Sequence, residues 1–418
     1  MKEFAKLYKL SFYCISLLIF LLGGFFQYFF GLSNTILTFG ITAYLFFVSG
    51  LYFILKNRIV LNSIVLYSIS YIFLIYFSGL INGSNFLATN IYLIFPLLPL
   101  SVFLFCYINY KECFISNTKI YSFFLKIGLV QLPILLLQSN FYDFLIQFNF
   151  SGKQIDWYDF MFGTFFIKSD HSLSIFLVFL VLIIILNKDG FRDKLKFPFI
   201  IIGYLSVTVY IAESNISKAF LTIFLFFSFI IPLYKKYRHT LKFKLVILFS
   251  LAAFLISVNQ IKDAEFIKKR FGGSIERQFS IAVAQKQYDL KNAKRSQILI
   301  VVINNLERKW IGDGPYSYFD IFTGKFNYTK HFTQIIWSYF DLGLLGIFIV
   351  LGYLRAIIKY LDIKKGIPKL IFFGFLLTYT FYTTIYSDIA IIFSMFIIFN
   401  KKNSNELNNY SFSRLEKE

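Results

Sequence analysis

The chain has 418 residues, of which 57% are hydrophobic and 15% are charged, with a formal net charge of +20. A soluble domain with so little polar surface would aggregate, so the composition excludes an ordinary soluble protein and indicates an integral membrane protein. In that class the excess positive charge is expected in cytoplasmic connections and does not indicate a nucleic-acid partner. The three cysteines show no CxxC spacing and there is no HExxH motif, so we expect no disulfide framework, metal or cofactor.

Apolar runs of about 20 residues, the length that crosses a bilayer as a helix, recur along the chain. They predict about twelve transmembrane helices, near residues 10–30, 34–55, 59–81, 86–109, 120–139, 170–187, 197–213, 219–234, 241–258, 332–357, 370–386 and 388–400. Period-2 alternation is absent, so the sequence predicts an all-α polytopic membrane protein with a single transmembrane domain over residues 1–400. The first run is long and lacks a small-residue cleavage site, so we interpret it as an uncleaved anchor.

The connections between the runs divide by charge. Those near residues 56–58, 188–196, 235–244 and 359–365 are basic, whereas those near 31–33 and 82–85 carry no Lys or Arg. The positive-inside rule therefore predicts that both termini are cytoplasmic. It leaves an interfacial segment, 140–169, and one large loop, 259–331, on the outer side. The polar tail at 401–418 is predicted to be disordered.

The large outer loop is itself basic, with 13 Lys and Arg against seven acidic residues. Arginine offers a planar fork that matches phosphate oxygens, so Arg270 and Arg295 are candidates to hold a diphosphate. The alternative is that they pair with acidic neighbours or with lipid headgroups. Residues 279–305 are predicted to be mostly helical, and Gly312-Asp-Gly-Pro315 predicts a turn.

Histidines stand where outer segments meet predicted helices. His331 ends the large loop and suits a base that exchanges a proton near neutral pH, although a capping role is the alternative. His171 occupies a similar position at the head of the sixth run. Asp341, ten residues after His331, is predicted to be a cap or a kink. Lys218 and Asp388 lie in or beside the membrane, where charge is costly, unless they sit in short outer turns.

Four blocks follow one another around the large loop: 163–171, ending in Asp-His; 213–218, Glu-Ser-Asn-Ile-Ser-Lys; Arg270-Phe271, Arg295 and Trp310-Ile-Gly-Asp-Gly-Pro315; and His331 with Asp341-Leu-Gly-Leu-Leu-Gly346. In this order they resemble the O-antigen polymerase and O-antigen ligase superfamily, over residues 160–350. Lys218 stands where the family usually has Arg. Ligases tend to follow the histidine with Asn, Ser or Gln, and Phe332 stands there here, which favours a polymerase.

The resemblance implies a GT-C-like fold in the bacterial inner membrane. The implied reaction is metal-independent, inverting transfer of a growing glycan from undecaprenyl diphosphate to the next lipid-linked repeat unit. A chain-length regulator and a flippase are the further partners it suggests. Its implied catalytic residues are Arg295, on the diphosphate, and His331, near the acceptor hydroxyl. The implied substrate-binding residues are Arg270, Lys218, His171, Asp170, Gly312 and Gly314.

Other functions stay open at this point. The same donor chemistry serves an O-antigen ligase or a protein O-oligosaccharyltransferase. A lipid-linked oligosaccharide flippase or transporter suits twelve spans, and a non-catalytic assembly partner is a further alternative. A flippase is expected to spread charged residues through several spans, whereas here they cluster on one face, which favours an enzyme.

Overall fold

The computed structural model describes residues 1–57, 60–155, 157, 160–167, 170–212, 214–237, 309–317, 333–363, 366–381 and 383–400. Within these ranges every regular element is a helix. The main helices are α1 Lys2–Phe30, α2 Asn34–Lys56, α3 Ser63–Ile81, α4 Phe86–Glu112, α5 Asn117–Asn140, α6 Asp170–Ile185, α7 Pro198–Ile211, α8 Asn215–Tyr237, α9 Gln334–Tyr360, α10 Ile367–Thr380 and α11 Ile389–Ile398.

The chain is a multi-pass membrane protein. Six of these helices, α1 to α5 and α9, are long and apolar enough to cross a membrane, and a bent pair formed by α6 and residues 188–194 would make a seventh. Four shorter apolar helices, α7, α8, α10 and α11, accompany them. Each predicted run contains a helix except 241–258, which lies outside the described residues. The prediction of twelve spans stays a prediction.

Two boundaries differ from expectation. The first helix begins at Lys2, eight residues before the predicted run, because Phe4 and Tyr8 are buried in the bundle and extend its packing. The run at 370–386 stays helical only to Thr380, and the described residues that lead to α11, 381 and 383–388, are not helical. The short helix Tyr142–Leu145 and a 3-10 turn, Ile146–Phe148, form the start of the predicted interfacial segment.

Two short helices, α6 and α11, lie at the centre. Every residue of α11 is buried, and Leu173 to Ile184 of α6 are buried throughout. α6 packs against α7, α8 and α11, while α3 packs on α9 and α2 on α4. Neither α6 nor α11 shows an amphipathic period in its sequence, because a helix buried on all sides is apolar on all sides.

The bundle has two chemically different ends. At one end Lys188 pairs with Asp362 at 2.7 Å and Lys56 pairs with Glu112 at 3.1 Å. We call this the basic end. The other end, which we call the site end, joins the start of α6, α8, α9 and α11 to the connecting segments 141–167 and 309–317. The described residues of the four sequence blocks lie at this end or, for Asp341 to Gly346, in the first half of α9.

Candidate functional site

A group of polar side chains joins α6, α8 and α11 at the site end. His171 Nδ1 and Ser214 Oγ share a hydrogen bond of 2.9 Å, and Ser214 Oγ shares another, of 2.8 Å, with Ser217 Oγ. The Ser172 hydroxyl donates to Asp388 Oδ2. We call these five residues the histidine–serine cluster. It brings together the first two sequence blocks, which are more than 40 residues apart.

The cluster forms where three helices begin. His171 and Ser172 are in the first turn of α6, Ser214 immediately precedes α8, and Asp388 caps α11 by accepting from the Ile391 N–H at 3.0 Å. Helix N-termini present unpaired N–H groups and a partial positive charge. Lys218 lies in the first turn of α8, where its N–H donates to Ser214 O at 3.1 Å. The helix N-termini and Lys218 contribute positive potential here, and the Asp388 carboxylate opposes it.

The start of α9 adjoins the cluster through the residues before α11. Gln334 Oε1 accepts from the N–H groups of Ile385 and Tyr386 at 2.9 and 3.3 Å, and the Gln334 N–H donates to Thr383 O at 3.3 Å. Thr333 is buried at this junction. His331, the predicted base, precedes Thr333 by two residues and lies outside the described residues.

The second pair of blocks meets through the backbone. Residues 309–317, which we call the docked segment, lie against α9 where that helix is broken at Gly343 (φ 73°, ψ −161°). The N–H groups of Leu344 and Leu345 donate to Lys309 O and Trp310 O, and those of Asp313 and Gly314 donate to Phe340 O and Asp341 O, at 2.8 to 3.2 Å. The segment satisfies backbone groups that the break in α9 releases.

Glycines make this close approach possible. A Cβ on Gly312 would lie 2.3 Å from Phe340 O, and one on Gly343 would lie 2.5 Å from Trp310 O. Gly314 has a φ of +100°, and a Cβ there would lie 2.1 Å from Ser84 Oγ. Asn82 of the α3–α4 connection completes the contact by donating its amide to Gly312 O at 2.8 Å. The contacts of Gly312 and Gly314 are therefore to the protein's own backbone and to this connection.

Asp341 is fully buried beside the docked segment. Its Oδ1 accepts from the Ser317 hydroxyl at 3.0 Å, and its backbone carbonyl accepts from the Ser78 hydroxyl at 2.8 Å. Burial, and secondly the nearby Asp341 carboxylate, raises the pKa of Tyr316 to about 12. The Tyr316 hydroxyl therefore stays protonated at neutral pH. Of the two roles predicted for Asp341, a cap or a kink, the structure shows a kink, at Gly343 two residues later.

Three glutamines that sequence reasoning missed hold the first block in place. Gln138 exchanges two hydrogen bonds of 2.9 Å with the backbone of Gly163. The Gln131 side chain donates to the Thr164 hydroxyl and accepts from the Thr164 backbone N–H. Gln27 accepts from the Ile167 N–H at 2.7 Å. We call them the glutamine clamp. All three are buried in apolar helices. A glutamine in a predicted span could have been noticed in the sequence, because burying its amide is costly unless the amide is hydrogen-bonded.

The predicted site residues thus fall into three sets. His171, Lys218 and the start of α6 at Asp170 come together at the histidine–serine cluster. Gly312 and Gly314 lie in the docked segment, and the first two turns of α9 connect that segment to the cluster. Arg270, Arg295 and His331 lie outside the described residues, as does the predicted helix at 279–305.

No protein-family model, no curated protein and no solved structure matches this chain. The superfamily resemblance therefore rests on the four short blocks alone and stays an expectation.

Proposed function

We propose that the chain is a polysaccharide polymerase, a membrane glycosyltransferase that uses a polyprenyl-diphosphate-linked glycan as donor. In this proposal all twelve apolar runs lie in the membrane in a GT-C-like arrangement. The basic end faces the cytoplasm, as the positive-inside rule requires. The histidine–serine cluster then faces the outer side, where the growing glycan is transferred to the next lipid-linked repeat unit.

The observation that carries the proposal is the hydrogen bond between His171 and Ser214. It unites two blocks of the resemblance at the N-termini of α6 and α8, with Lys218 one turn away. Ionisable side chains within or beside membrane helices are costly and therefore favour a functional role. Helix N-termini beside a lysine are suited to a diphosphate.

The proposed chemistry is a direct displacement at the anomeric carbon. The acceptor oxygen forms a bond to that carbon as the bond from the carbon to the diphosphate oxygen breaks, and the acceptor proton passes to His331. Arg295 and Arg270, with Lys218 and His171, stabilise the charge that develops on the leaving diphosphate. A base at the acceptor hydroxyl contributes about 10²–10⁴-fold.

The decisive experiment deletes the coding region in the native host and resolves its surface glycans on a gel. We expect glycans limited to one repeat unit, with ladders restored by the wild-type chain but not by the Arg295→Ala variant at equal expression. Uncapped acceptor with polymer left on its lipid carrier would show a ligase instead. Repeat units retained on the cytoplasmic side would show a flippase.

A further inference from the structure

A cavity of about 340 Å³ opens at the site end between α1, α5 and residues 160–164. Phe25 and Phe29 of α1 and Leu137 of α5 form its sides, and Phe160 and Phe162 lie at its inner wall. It shares no lining residue with the histidine–serine cluster. An inference about this cavity is therefore independent of the proposed function.

The polar side chains that line the cavity already have partners. Gln138 is paired with the backbone of Gly163 at 2.9 Å in both directions. The hydroxyl of Thr164 donates to the carbonyl of Phe20, and the hydroxyl of Tyr28 donates to the carbonyl of Leu145. A polar ligand would lose its hydration without gaining these bonds, so the lining selects an apolar occupant.

The cavity opens toward the surface that faces lipid. Phe25 and Leu137 line it and yet are 48% and 54% exposed on helices long enough to span the membrane. Trp157, also exposed, donates its indole N–H to Ser139 O at 3.3 Å, next to the α5 wall. Tryptophan concentrates at the membrane–water interface. The opening therefore lies in the hydrocarbon just beneath the headgroups.

The shape of the cavity follows from two features of α1. Residues Leu18–Leu22 form a π-helical turn, which leaves the carbonyl of Phe20 to accept from Thr164. Gly24 follows, and a Cβ there would lie 2.1 Å from Phe165 O. The two features let residues 160–167 enter between α1 and α5, and the space remains between the three.

We propose that this cavity binds one acyl chain of a bilayer phospholipid from the leaflet at the site end. A dry apolar space bordered by hydrocarbon gains dispersion contacts when a chain fills it. The occupant is a membrane phospholipid rather than the glycan carrier, because neither His171 nor Lys218 lines the cavity.

The test reconstitutes the full chain in nanodiscs of phosphatidylethanolamine and phosphatidylglycerol that contain a phosphatidylethanolamine with a diazirine on its acyl chain. After illumination, labelled peptides are mapped by mass spectrometry. We expect label on Phe160 and Phe162, which are 2% and 4% exposed and which lipid outside the cavity does not reach.

Leu137→Trp fills the opening and should abolish labelling of Phe160 and Phe162. Leu136→Trp is the matched control, because Leu136 is 44% exposed on the same helix but does not line the cavity. Ile134→Phe provides a second filling variant should Leu137→Trp not fold. The proposal is overturned if the two phenylalanines stay unlabelled while exposed residues are labelled. It is also overturned if filling leaves their label unchanged, or if only a polyprenyl diphosphate probe labels them.

Discussion

The histidine–serine cluster and the docked segment both contain sequence blocks that predicted a functional site, but they are held together by different kinds of contact. In the cluster, side chains from the starts of three helices form hydrogen bonds with one another, and the groups involved are an imidazole, hydroxyls and a carboxylate. In the docked segment the bonds run between backbones, and glycines are present because nothing larger fits. A sequence block thus marks candidate catalytic or binding groups in the histidine–serine cluster and close backbone packing in the docked segment.

This difference predicts which variants damage folding and which damage function. Substitutions in the docked segment should lower the stability of the protein and its activity together. Substitutions of Lys218 or His171 should lower activity while the protein remains folded.

The largest effect is expected from Gly312→Ala. Its methyl group would lie 2.3 Å from Phe340 O, a backbone atom that cannot move aside, so the cost should be about 3 kcal/mol or more. Gly343→Ala should be as severe, because φ 73° with ψ −161° is a conformation that only glycine adopts readily. The measurement is the yield of monodisperse protein in detergent and its thermal midpoint.

Gly40→Ala is the control for that pair. Gly40 is in the middle of α2 with open space where a Cβ would stand, so alanine should be neutral or stabilise the helix by about 0.5–1 kcal/mol. If Gly312→Ala behaved like Gly40→Ala, the close contact between the docked segment and α9 would be wrong.

The next effect concerns ligand binding at the cluster. If Lys218 contacts a diphosphate, Lys218→Met should weaken binding of a polyprenyl-diphosphate glycan about 10- to 100-fold, the range of a hydrogen bond to a charged group. Lys218→Arg should retain most of the affinity because it keeps the charge. Affinity is measured by the change in intrinsic fluorescence of the purified chain on titration.

Lys153→Met removes a charge from an exposed position in the connecting segment 141–167 and serves as the matched control. A loss of affinity as large as that of Lys218→Met would show that general charge, rather than a contact at the cluster, attracts the ligand. Equal thermal midpoints for all three variants are required before the affinities are compared.

The positions of the helices were largely readable from the sequence, because apolar runs of sufficient length leave a membrane-embedded chain few alternatives. The pairing of distant segments was not. The approaches of Gly312 to Phe340 and of Gly343 to Trp310 join backbones 28 and 33 residues apart. A glycine's need for space is visible only once its neighbour is known. Gln138 and Gln131 lie in a run that predicts a plain span, although their amides hold residues 163 and 164.

The cluster itself was partly predictable. His171 stood out as one of three histidines in the chain, and Lys218 because charge is costly in or beside the membrane. The structure places both at helix N-termini. Ser172 did not stand out, since a serine in an apolar helix commonly bonds to its own backbone. Its hydrogen bond to Asp388 depends on α6 and α11 packing side by side, more than 200 residues apart in the chain.

The smallest effect is expected at Asp388, where cap and charge can be separated. Asp388→Ala removes the oxygen that accepts from the Ile391 N–H, a cap worth about 0.5–2 kcal/mol, and also the oxygen that accepts from the Ser172 hydroxyl. Asp388→Asn keeps a capping acceptor and should cost less. Ser33→Ala, at the exposed cap of α2, measures the loss of an ordinary cap for comparison. Because Asp388 is an anion beside a site proposed to bind one, Asp388→Asn should raise the affinity for the diphosphate glycan, the opposite sign to Lys218→Met. A lower affinity for Asp388→Asn at an unchanged thermal midpoint would mean that the carboxylate helps to hold the ligand, and the cluster would then not be the anion site described here.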